Sequence, residues 1–176
     1  MSRSSFSSNG SASSVALDIV RDPGVCGEWL NRFCVDAETH KQLYYVDVSD
    51  DSKLEIHRGN KYGPVVAKTL RCRSNPGATD LLLSNANGQH IHYDERTGRA
   101  SFVLDGQTFN WNQRGQLTDK TGGVLAELSK GKTDSRQLNN GRLTIYQDGM
   151  SQQLTDPIVL SALFFQERSD ENSSWF

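Results

Sequence analysis

The stretch TDPIVLSALFFQERS, Thr155 to Ser169, holds the one dense apolar run of an otherwise polar chain. Ile158 to Phe165 is far shorter than the roughly 20 residues that a membrane-spanning helix needs, and charged residues follow at once. Asp156 followed by Pro157 reads as a helix start. The Asp side chain accepts a bond from a free backbone N–H, and proline at the first helical position loses nothing by lacking its own. The spacing therefore predicts a helix over 156–168. Wound at 3.6 residues per turn, Ile158, Val159, Leu160, Ala162, Leu163, Phe164 and Phe165 cover its whole circumference, with Ser161 as a small polar interruption. Such a helix has to be surrounded.

What surrounds it is read from the rest of the chain. Between residues 42 and 155 short alternating segments are punctuated by turn residues, the rhythm of an all-β domain. QLYYVDV (42–48) and KLEIHR (53–58) read as a hairpin. GPVVAKTLRCR (63–73), DLLLS, HIHYD, ASFVLD, TFNWN, GQLTD, GVLAELS, RLTIYQD and SQQLT (151–155) follow as candidate strands. The separators Asn-Gly, Thr-Gly-Arg, Asp-Gly, Arg-Gly and Gly-Gly supply the positive φ that tight hairpins require. The count is about ten or eleven, with one or two more available in SSVALDIV and beyond. GEWLNRFCVD (27–36) reads equally as a short helix or the end of a strand.

Two arrangements bury a helix of this kind: a sheet closed around it, or a sandwich that it plugs at one end. A helix with side chains is about 10–12 Å across, whereas a barrel of ~8 strands holds only its own side chains. Closure around the helix needs nearer twelve strands, close to the count. The expected fold is mainly β: a closed antiparallel barrel of about twelve strands enclosing a central apolar C-terminal helix. The domain should span 15–169, between a disordered Ser-rich tail at 1–14 and a flexible tail at 170–176 that ends in Trp175-Phe176.

Composition narrows the function. The 21 acidic and 19 basic residues nearly balance in a chain of 176, so no basic face points to nucleic acid. Cys26, Cys34 and Cys72 are an odd number without CxxC spacing and read as reduced thiols in a cytoplasmic protein. The N-x-S sequons at Asn9 and Asn172 follow no export signal. His90 and His92 share a strand face, a spacing able to place two imidazoles on one metal, but no third ligand accompanies them and no cofactor is expected. No motif of nucleophilic catalysis or nucleotide binding stands out, so the expected class is non-enzymatic. Phe109 and Trp111 alternate with asparagines and should line the barrel together.

The segments LYYVDVSDDSKLEIHRGNKYGPVVA (43–67), FVLDGQTFNWN (102–112) and GRLTIYQDG with DPIVLSALFFQERS (141–169) resemble the tubby C-terminal-like superfamily. That group includes the LURP-one-related proteins and phospholipid scramblases, and the nearest likeness is to its fungal members of unknown function. The resemblance implies a barrel threaded by a C-terminal helix. It also implies binding of phosphoinositide headgroups through a Gly-Lys-Leu-Arg-Ser-Asn segment. Here AKTLRCRSN (67–75) is similar: Lys68 stands at the lysine and Arg73-Ser74-Asn75 at the end, with Ala67 for glycine and two extra residues between the basic groups. Strand alternation puts Arg71 and Arg73 on one face, a fork for phosphate, and Lys68 in the apolar row with Val66 and Leu70. The implied role is an adaptor module, peripheral at an anionic membrane surface, with Arg71, Arg73 and Lys68 as contacts. The competing reading is a protein-interaction or structural module of a stress or developmental response, with a protein partner and no lipid.

Overall fold

The alternating segments pair as consecutive antiparallel hairpins. The computed structural model describes residues 13–22, 31–50, 53–71, 75–85, 88–130, 139–146 and 152–173. These form β1 (Ser14–Arg21), β2 (Arg32–Asp36), β3 (Gln42–Asp50), β4 (Lys53–Arg58), β5 (Val65–Arg71), β6 (Ala78–Leu83), β7 (His90–Asp94), β8 (Arg99–Leu104), β9 (Gln107–Trp111), β10 (Gln116–Thr118), β11 (Val124–Lys130), β12 (Asn139–Tyr146) and one helix, α1 (Gln152–Ser173). Each strand pairs with its neighbours in sequence. β12 returns to pair with β1, Tyr146 opposite Ser14, and the sheet closes into a barrel without a free edge.

Local chemistry sets the turns. Asp105 and Gly106, both at positive φ, form the two-residue connection between β8 and β9, whose twist matches that of the strands. Because consecutive strands run up and down, every second turn lies at the same end. The β2–β3, β4–β5, β6–β7, β8–β9 and β10–β11 turns share the end at which α1 enters. The β5–β6, β7–β8 and β9–β10 turns share the far end.

The side-chain period of two divides the wall into a wet and a dry face. On β7, His90 and His92 are exposed while Ile91 and Tyr93 are buried. The dry faces converge on α1, where every residue from Pro157 to Glu167 is buried, so the helix is enclosed around its circumference. Trp111 stacks on Phe165 at 5.6 Å and Tyr93 meets Phe164 edge-on at 6.0 Å, which places the expected barrel lining against the helix. Phe109 lines the same interior, stacked on Phe102. Burial of each large apolar helix side chain is worth roughly 1.5–3 kcal/mol.

Three readings need correction. SQQLT is not a strand, because α1 already begins at Gln152. Asp156 does not cap the helix: its carboxylate accepts from the Tyr44 hydroxyl at 2.5 Å and from Arg58 Nη2 at 2.6 Å. Pro157 therefore sits inside the helix and withholds a hydrogen bond from the Gln153 carbonyl, at the exposed entry where water can replace it. At its other end α1 runs to Ser173, so 170–173 are helical. The ambiguous segment before Val35 resolves in part: Arg32–Asp36 is a strand.

Candidate functional site

β5 carries two of the three residues singled out for lipid contact. Its register against β4 shifts at Val66, which leaves Ala67 fully buried against the core. Lys68 and Leu70 consequently lie in the outer row, while Val66, the extra residue at the shift, is half-buried against the core. Lys68 is exposed rather than inward-facing, because the filled barrel admits the small Ala67 at this point and excludes the longer chains. Glu55 stands directly across the ladder from Lys68, so this part of the wall is nearly neutral. Arg71 ends β5 opposite Thr79, roughly 10 Å farther along an extended strand. Lys68 and Arg71 are thus not one cluster. Arg73 lies outside the described residues.

The geometry adds arginines that the motif did not indicate. The β5–β6 turn is built on Asn75, whose carbonyl accepts from Ala78 N at 3.0 Å and whose side chain accepts from Gly77 N at 3.2 Å. The β7–β8 turn is tied to it: Glu95 N donates to Gly77 O at 3.0 Å, and Thr79 Oγ1 donates to Glu95 Oε1 at 3.1 Å. Arg96 rides over this junction, with its Cγ 3.8 Å from where a Gly77 Cβ would stand. Gln113 Nε2, from the β9–β10 turn, donates to Thr97 O at 2.8 Å, bringing in Arg114. Three turns at the far end are therefore bonded in series beside Arg71, and they carry Arg96 and Arg114, both exposed. Asp94 offsets part of this charge: its Oδ1 lies 3.7 Å from Arg96 Nε, and the backbone N–H of Arg96 holds its carboxyl below the usual range. The Arg96 side chain is nonetheless 79% exposed. The parity of up-and-down turns would have found this set in the sequence. A linear motif search does not.

The other candidates resolve as follows. His92 Nδ1 lies 2.6 Å from Asp80 Oδ1, and Ser101 faces His92 across the next ladder. No hydrogen bond joins Ser101 to His92, so the row lacks the contact that activates a nucleophile. Among the described residues no three His, Cys, Asp or Glu side chains gather to hold a metal. Cys34 is fully buried, and burial raises its thiol to about 12, followed in effect by the charge of Asp18. Cys26, Cys72 and the Trp175-Phe176 tail lie outside the described residues. Among the described residues no helix is long and apolar enough to cross a membrane.

No family model, no curated protein and no solved structure matches this chain.

Proposed function

We propose that this barrel is a non-catalytic binding module of the tubby-like kind, which docks reversibly on anionic phospholipid headgroups through the arginines of its far end. The observation that carries the reading is the serial bonding of the β5–β6, β7–β8 and β9–β10 turns, which brings Arg96 and Arg114 to the end of the barrel at which β5 finishes with Arg71. Guanidinium groups suit this task because each offers paired donors to phosphate oxygens. A rigid wall filled by α1 leaves binding to the surface. Lys68, level with Glu55 on the wall, adds to the field rather than to headgroup contact. Such binding weakens as salt screens the charges.

Flotation with vesicles that differ only in phosphoinositide content tests this. Wild type and Lys68→Glu should float with phosphoinositide vesicles at low salt. Arg71→Glu with Arg73→Glu, and Arg96→Glu with Arg114→Glu, should stay at the bottom with unchanged melting temperature. Wild type that ignores these vesicles would falsify the proposal.

A further inference from the structure

The three bonded turns at the far end share one construction. In each, a side-chain oxygen accepts the backbone N–H two residues on: Asn75 Oδ1 from Gly77 N at 3.2 Å, Asp94 Oδ1 from Arg96 N at 2.9 Å, and Asn112 Oδ1 from Arg114 N at 2.9 Å. Asparagine serves in two of the three, so the bond itself requires no charge. Asp94 supplies one, and it does so among the arginines. Its Oδ1 lies 3.7 Å from Arg96 Nε, and Arg99, exposed at the start of β8, faces it directly across the ladder. Bonds led by that from Arg96 N hold its carboxyl below the usual range, so it is ionised at neutral pH.

Among the described residues of these turns and the strand ends that flank them, the charged groups are Arg71, Arg96, Arg99 and Arg114 against Asp94 and Glu95. Glu95 is tied to Thr79, and Lys130 closes β11 next to the β9–β10 turn, where Leu128 N donates to Gly115 O at 2.7 Å. α1 ends on this side too, since Glu167 meets Arg32 at the start of β2, and it brings Asp170 and Glu171 in its last turn. The end is therefore basic by a small margin, in which one carboxylate beside Arg96 weighs heavily. We propose that Asp94 is a built-in counter-ion that restrains the headgroup site, so that its arginines do not hold the module on surfaces carrying only monoanionic lipid. This rests on the lipid reading of the far end. A basic residue near an anionic surface is worth about fivefold in binding, and an acidic one in the same place takes about as much away. A repulsive group aimed at the wrong partner is a common source of selectivity.

The test is flotation of the full chain, titrated with vesicles whose sole anionic lipid is either phosphoinositide or phosphatidylserine. Asp94→Asn keeps the turn bond, as Asn75 and Asn112 do in theirs, so its melting temperature should match wild type. It should bind phosphoinositide vesicles about fivefold more tightly and, at low salt, also float with phosphatidylserine vesicles that wild type ignores. Asn112→Asp, which sets a carboxylate in the same relation to Arg114, should weaken phosphoinositide binding about fivefold. Asp105→Asn, with the same change of net charge in the β8–β9 turn at the other end, should leave binding unchanged. If wild type floats but Asp94→Asn binds no better than wild type or than Asp105→Asn, the proposal is overturned and the lipid reading stands. If no variant floats with either vesicle, both fall.

Discussion

Cys34 occupies the dry face of β2, beside the phenol of Tyr44, and its burial has chemical consequences. A thiol reacts as the thiolate, and a native-state value near 12 leaves almost none at neutral pH. In a Cys26→Ser, Cys72→Ser background, native protein should therefore resist an aromatic disulfide reagent at pH 8 and react once unfolded in urea. Prompt labelling of the native protein would contradict the burial. The same group links stability to pH. The thiol ordinarily ionises near 9.0 and is raised to about 12 in the fold, so the folded state holds its proton through this interval and the unfolded state releases it. Its contribution is complete below pH 9 and is lost as pH climbs towards 12. Tyr44 has the same sign, because burial and then its bond to Asp156 raise the phenol. Melting temperature should fall above pH 9, and less steeply for Cys34→Ala. None of this was legible in the spacing of the cysteines. Asp156 was likewise recognisable as a polar residue beside proline, but its partners lie 98 and 112 positions away.

At the scale of the element, α1 is held along its length by a few polar contacts within an apolar surround. Asp156 fastens the entry to Tyr44 and Arg58, and Glu167 approaches Arg32 at 3.4 Å with both side chains nearly fully buried. Between them Trp111 Nε1 donates to Ser161 Oγ at 2.8 Å, and that hydroxyl donates to Ile158 O at 2.9 Å. The small polar interruption noticed in the apolar run thus has a physical cause: the indole N–H of a fully buried tryptophan needs an acceptor. Ser161→Ala should cost about 1–3 kcal/mol in urea denaturation, the penalty for a buried donor left without its partner. A loss under a few tenths would mean that the indole finds another acceptor. The all-round apolar pattern made the helix and its enclosure readable. Its ends were not, because Gln152 to Thr155 read as the end of a strand and the Asp-Pro pair as a start, and Ser169 to Ser173, which extend the helix beyond Arg168, are all polar.

For the whole molecule, strand count and helix diameter were enough to choose a closed barrel, and twelve strands do surround α1. The gathering of far-end arginines follows from turn parity, but bonds such as Gln113 to Thr97 had to be seen. The architecture also makes a demand on folding. Inner-face residues such as Ile56, Leu81, Ile91 and Ile145 are fully buried, and the helix occupies the space between them. A barrel of this width without α1 would have to admit water or collapse, since its own side chains fill the interior of only about eight strands. Closure pairs β1 with β12, the two ends of the described strands, so the sheet gains its last ladder only when the chain is nearly all in place. A chain truncated after Tyr146 should therefore show no cooperative thermal transition and should bind a dye that reports exposed apolar surface. Within the full chain, Phe164→Ala should lose about 3–5 kcal/mol, because Phe164 is fully buried and its removal opens a cavity beside Tyr93. A truncated chain that melts cooperatively with dispersed NMR signals would mean that the sheet closes without its core, and that α1 is a later occupant rather than the form on which the barrel is built.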